Sequence, residues 1–204
     1  LAIAYDQVFE ALREDGDLLR FLADKARRYK LSDPKTSFAD VQRNIEDRIL
    51  RDTIANRKKI ESNYPQTDMT LVVLKTVLAW PANREEIITL IEEIVRKSTA
   101  VDGLTGEKGL AGYARIAPTS LVDLLGLYTR IDPAFLGDLL RRHPRLHDMY
   151  RFHIDTWCLG RYYPQSGDSG AFARPVERYV GVGFTKNPGL NPSPAAFLWA
   201  LWEG

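Results

Sequence analysis

Asn83 to Lys97 reads NREEIITLIEEIVRK, and this stretch decides the class of the fold. Ile87, Leu90, Ile91, Ile94 and Val95 recur at steps of three and four, the spacing that stacks side chains on one face of an α-helix. Pro81 closes whatever precedes it. Asn83 stands where a cap belongs, and Glu85 and Glu86 place negative charge in the first turn, against the positive end of the helix.

The same period runs outward in both directions. Towards the N-terminus, an apolar helix is predicted from Thr67 or Asp68 to Trp80. Ser37 reads as the cap of a long helix from Phe38 to about Lys59, with Val41, Ile45, Ile49 and Ile54 as its buried stripe. Ala4, Tyr5, Val8, Phe9 and Leu12 mark a first helix ending at Asp15-Gly16. Asp17 then reads as the cap of a second, carrying Leu18, Leu19, Leu22 and Ala26.

Towards the C-terminus, helices are predicted from Pro118 through Tyr128, from Asp132-Pro133 to about Arg142, and from Pro144 to about Leu159. A last helix is predicted to begin near Ser193. Between Gly160 and Pro194 glycine and proline are frequent and no period survives, so 160–192 reads as an irregular loop region with no predicted strand. The fold class is therefore all-α, in one domain over residues 1–204. Short links make neighbouring helices antiparallel hairpins, arranged as a bundle or solenoid, or curled into an (α/α) toroid.

Composition narrows the function. With 45% apolar residues the chain can bury a core, and 28 basic against 27 acidic residues give no overall electrostatic case for nucleic acid or an anionic membrane. The basic run Arg141, Arg142, His143 and Arg145 reads as a solvated helix end. One cysteine, Cys158, excludes an internal disulfide and a cysteine-based metal site. His143 and His147 are separated by Pro144, and His147 and His153 do not share a helix face, so no metal site is predicted. Neither a phosphate-binding glycine loop nor a G-x-S-x-G elbow occurs. Trp80, Trp157, Trp199 and Trp202 read as core residues. The opening LAIAYDQVF and the closing AFLWALWEG both break off in mid-pattern, and the chain is expected to be a fragment of a longer protein.

Three polar loops interrupt the helices: SNYPQ at 62–66, DGLTGEKGLAGY at 102–113 and GRYYPQSGDSG at 160–170. They can carry chemistry on a uronic-acid sugar. The C5 proton of a uronate is poorly acidic while the neighbouring carboxylate is charged. A catalyst must stabilise the charge that builds on that carboxylate, take the proton, and protonate the leaving oxygen. Asn63 is a donor of the right kind. Tyr113 can serve as base or acid, although a tyrosine needs nearby positive charge to act as a base. Asn63 reads equally as a turn residue and Tyr113 as an aromatic anchor. Glu107 is a ligand carboxylate, a general acid or a salt-bridge partner of Arg115. Tyr64, Gln66, Arg161, Tyr163 and Asp168 complete the candidate sugar-binding residues, Arg161 for its match to carboxylate or sulfate.

These loops resemble the helical toroid part of the heparinase II/III-like polysaccharide lyases. LAIAYDQVFEAL at 1–12 is similar to the family's ALAYD helix. SNYPQ is similar to the segment that supplies its carboxylate-neutralising asparagine, here Asn63. DGLTGEKGLAGY is similar to the segment that ends in its catalytic tyrosine, here Tyr113. The 160–170 loop resembles the stretch that closes the toroid. Tyr64 stands where members often have histidine, and Gly109 to Gly112 replace a usual Ser-Pro.

The resemblance implies β-elimination on an acidic polysaccharide without a cofactor. It also implies a following β-rich domain that supplies a further histidine, and a periplasmic or secreted setting. A toroid glycoside hydrolase using Asp102 and Glu107, and a non-catalytic glycan- or protein-binding module, are the alternatives.

Overall fold

The computed structural model describes residues 1–105 and 113–155, together with the backbone of three strands at 163–165, 177–179 and 182–185. The frame is all-α, as its periodicity predicts. The chain divides into two compact units where the sequence reads as one domain. The first unit comprises Leu1–Glu61 with Thr70–Ile88, and the second Ser62–Met69 with Thr89–Gly204.

In the first unit, α1 spans Ala2–Glu14 and α2 spans Gly16–Arg28. The cap of α2 is Asp15, whose carboxylate accepts from the Leu18 amide at 2.8 Å. Asp17, expected in that role, lies inside the first turn and pairs with Arg20. The sequence offers two aspartates two residues apart, and the backbone at Asp15 takes the non-helical conformation a cap requires (φ −85°, ψ 85°).

Helix α3 spans Phe38–Ile45 behind a complete capping box. The Ser37 hydroxyl accepts from the Asp40 amide, and the Asp40 carboxylate accepts from the Ser37 amide at 3.1 Å. The helix then widens. Glu46–Arg51 forms a π-turn, in which the Asp52 amide reaches the Asp47 carbonyl five residues back. Asp52–Ala55 returns to α (α4), and Arg57–Ile60 tightens into a 3₁₀ turn.

The widened turn inserts one residue into the stripe. The expected buried set of Val41, Ile45, Ile49 and Ile54 becomes Val41, Ile45, Leu50 and Ile54. Leu50 is 1% exposed and Ile49 36%. Leu50 packs with Ala2, Tyr5 and Leu74, flanked by Phe9, Leu12, Ile45, Ile54, Val73, Val77 and Leu78. Tyr5, Phe9 and Phe38 meet edge to face, with centroids 5.6 and 5.2 Å apart.

Helix α5 spans Gln66–Ala79 and α6 spans Arg84–Ser98. Asn83 occupies the cap position of α6, but its side-chain amide donates to the Lys75 carbonyl at 2.9 Å, tying the two helices instead of capping one. Lys75 also pairs with Glu86 at 2.5 Å.

In the second unit, a 3₁₀ turn at Tyr113–Arg115 leads into α7 (Ile116–Ile131). Helices α8 (Phe135–Arg142) and α9 (Arg145–Asp155) follow. Pro118 sits in the first turn of α7, where its missing amide hydrogen costs nothing. Its carbonyl accepts the Tyr150 hydroxyl at 3.0 Å. Leu121, Leu125, Leu139, Leu146 and Met149 are fully buried.

The stretch read as irregular contains a small antiparallel sheet, which corrects the expectation of no strand. Its strands are β1 (Tyr163–Gln165), β2 (Glu177–Tyr179) and β3 (Val182–Thr185), in the order β1-β3-β2. Tyr163 pairs with Thr185 and Tyr179 with Val182. Pro164 lies on an edge strand, where proline is tolerated. The helix predicted near Ser193 lies outside the described residues.

Candidate functional site

Asn63, Tyr64 and Gln66 share the turn that opens α5, and the turn is fixed from several sides. The Gln66 amide donates to the Asn63 carbonyl at 2.8 Å, the Ser62 amide to Thr67 Oγ1 at 2.9 Å, and the Ser62 hydroxyl to Gln66 Oε1 at 2.7 Å. Pro65 and Thr67 are buried beneath it. The Tyr64–Pro65 peptide is cis.

Tyr64 points into the fold. Its hydroxyl donates to the Ile94 carbonyl at 2.8 Å and lies 3.2 Å from the hydroxyl of fully buried Ser98. Burial pushes the Tyr64 phenol above its ordinary range, an effect the Ser98 hydrogen bond partly offsets. Tyr64, expected in a cleft, thus bolts the turn to α6. Gln66 serves as an internal staple of the same turn. The partners Thr67 and Ser98 were missed from the sequence. Their only signal was polarity at the ends of two apolar helices.

Asn63 is different. Its carbonyl closes the turn, but its side-chain amide is exposed and hydrogen-bonds to no described residue. Tyr113, half-buried, opens the 3₁₀ turn ahead of α7 and belongs to the same compact unit. Among the described residues no hydrogen bond joins the Asn63 amide to the Tyr113 phenol.

The start of the second loop is a tight turn, as the Asp-Gly dipeptide predicts. Val101 and Leu104 exchange both backbone hydrogen bonds, at 2.9 and 2.8 Å, and Asp102 and Gly103 both take positive φ, 50° and 85°. A side chain at Gly103 would come within 2.8 Å of Asp148 Cβ and 3.1 Å of the Asp148–Met149 backbone, so glycine is what lets this turn dock on α9. Asp102 is exposed at the apex.

Glu107, Arg161 and Asp168 lie outside the described residues. Tyr163 is placed on β1 by its backbone alone.

The basic run spans the end of α8 and the start of α9, and its arginines have partners. Arg141 pairs with Asp138, Arg142 with Glu92 at 2.5 Å, and Arg145 reaches the Ala100 carbonyl at 3.5 Å. Among the described residues no group of three His, Cys, Asp or Glu side chains could hold a metal ion, and no helix is long and apolar enough to cross a membrane. Compared with known proteins, the chain matches no family model, no curated protein and no solved structure.

Proposed function

We propose that this chain supplies the helical part of a lyase site that cleaves a uronic-acid-containing polysaccharide by β-elimination. Asn63 neutralises the substrate carboxylate and Tyr113 transfers protons. One observation carries the reading. On a turn whose other members are spent on holding it together, the Asn63 amide alone is exposed and uncommitted. A donor fixed in place before substrate arrives needs no reorganisation as charge develops, which is the condition for electrostatic catalysis.

In this reading the amide donates to the carboxylate as the C5–H bond breaks. The electron pair forms the C4–C5 double bond, the C4–O bond breaks, and the leaving oxygen takes a proton. Tyr113 stands on the same compact unit with its phenol uncommitted among the described residues, as an acid or base must before substrate binds. Tyr64 acts as a positioning residue, not a substrate contact. The resemblance adds acidic polysaccharide as partner, a β-rich domain of the same protein, and a periplasmic or extracellular place of work.

The test is the unsaturated product, read by its near-ultraviolet absorbance after the protein carrying this chain meets alginate or a glycosaminoglycan. Asn63→Ala is expected to lower the rate about 10²–10³-fold, and Tyr113→Phe to abolish it with folding intact. Undiminished turnover in Tyr113→Phe would overturn the assignment. New reducing ends without unsaturation would show hydrolysis instead.

A further inference from the structure

We propose that the C-terminal half of α2 and the two residues after it, Phe21 to Lys30, form an additional contact for an acidic polysaccharide chain. The inference rests on the reading that the substrate is an acidic polymer, and it concerns residues that the proposed chemistry does not use.

The first observation is a set of unpaired cations. Arg13, Arg20, Arg27, Arg43, Arg48 and Arg51 of the same unit each face a carboxylate. Lys25, Arg28 and Lys30 face none among the described residues. Instead Lys25 Nζ stands 5.2 Å from the centre of the Phe21 ring, and the Arg28 guanidinium 5.7 Å from that of Tyr29. Both rings are open to solvent, Phe21 at 54% and Tyr29 at 62%. Residues 21, 25, 28 and 29 lie on one stripe of about 12 Å, in the order ring, cation, cation, ring.

The second observation is where Lys30 sits. The Leu31 amide reaches the Ala26 carbonyl at 2.9 Å and the Lys30 amide the Arg27 carbonyl at 3.2 Å. These are the two bonds of a Schellman end, with Lys30 at the left-handed position (φ 52°) that glycine favours. A lysine held there costs stability relative to glycine, and the cost is explained if its charge is used.

The stripe fits an acidic sugar chain best. Exposed rings stack on sugar faces, and the two cations between them match carboxylates or sulfates. A membrane surface would need a continuous apolar face. Here the exposed apolar side chains Phe21, Tyr29 and Leu31 are separated by Arg27, Arg28 and Lys30, while Ala26 is buried and Leu18, Leu19 and Leu22 are half-buried. Duplex nucleic acid keeps its bases stacked within the double helix and leaves the two exposed rings nothing to stack on.

The chain is to be tested for binding to immobilised alginate at low salt, against neutral dextran, phosphatidylserine vesicles and duplex DNA. Replacing Lys25, Arg28 and Tyr29 together by Ala is expected to weaken alginate binding about tenfold or more and to flatten its salt dependence. Lys30→Gly is expected to weaken binding about two- to threefold while raising the melting temperature. A merely structural role for Lys30 would not move the two readouts in opposite directions. Lys30→Gly also keeps the proposal testable if the triple variant folds poorly.

No alginate binding by the wild type, unchanged affinity in the variants, or tighter binding to vesicles or DNA would overturn the proposal. Alginate binding that depends on the stripe, without unsaturated product, would sink the lyase reading and leave the stripe standing. Product formation that depends on Tyr113, with binding unchanged in the triple variant, would do the reverse.

Discussion

The two compact units are held together by different means. In the second, α7, α8 and α9 bury Leu121, Leu125, Leu139, Leu146 and Met149 completely, with Tyr128 and Tyr150 among them. Even its polar groups are turned inward, as Tyr150 onto the Pro118 carbonyl and Thr99 onto the Val95 carbonyl. In the first, the cluster around Leu50 is bordered by half-buried side chains. Much of what is visible on α1 to α4 is local, in caps and in ion pairs three or four residues apart. Exposed pairs of this kind contribute little, ~0–1 kcal/mol each. The contrast shows where a deletion matters. In the second unit it removes packing, and in the first it chiefly removes local stops and register.

The strongest attack on this contrast is a cavity in the second unit. Leu125→Ala leaves a hole among residues with no access to water and is expected to cost about 3–5 kcal/mol. The loss should be read by denaturation and by faster hydrogen exchange along α7. Leu12→Ala, on a half-buried α1 position, should cost clearly less. Equal losses would erase the difference between the units.

A finer probe addresses register within the first unit. Leu50→Ala is expected to cost about 2–4 kcal/mol, and Ile49→Ala under about 1 kcal/mol, because only Leu50 faces the cluster. An unbroken α-helix through Glu46–Arg51 would reverse the ranking.

That reversal is what the sequence alone predicted, and the reason is instructive. Periodicity in Phe38–Ile60 marks a helix and an apolar side correctly, because both follow from neighbours within a few residues. A π-turn is decided by which side chain the tertiary core accepts, so Ile49 and Leu50 cannot be ranked from spacing. Ser37, Pro81 and Asp102-Gly103 were legible for the opposite reason. A cap, a stop and a left-handed turn each depend on one or two residues' own stereochemistry. The strands at 163–165, 177–179 and 182–185 were not legible, since a run of three or four residues shows no period, and the partner of 163–165 lies about 20 residues along the chain. At the candidate site, the proline-broken turn and exposed Asn63 could be read locally. Tyr64 could not, because the Ser98 it meets is 34 residues away and belongs to another helix.

The smallest expected effect tests whether local devices contribute in the first unit at all. Asp40 accepts from the Ser37 hydroxyl at 2.9 Å and from the Thr36 and Ser37 amides at 3.2 and 3.1 Å. These bonds, that of the Ser37 hydroxyl foremost, hold its carboxyl below the ordinary aspartate range. A carboxyl lowered by folding stabilises the fold at pH above its unfolded value of about 4. That contribution fades as pH falls through the lower, folded value. The N-terminus of α3 should therefore loosen as pH falls below about 4, before the second unit does. The carboxyl resonance of Asp40 should titrate below that of an unpaired aspartate. Ser37→Ala should move it back up and remove this part of the pH dependence, leaving exchange along α7 unchanged. If Asp40 titrates at the ordinary value in the wild type, the capping box is not closed in solution, and the first unit loses the clearest of its local supports.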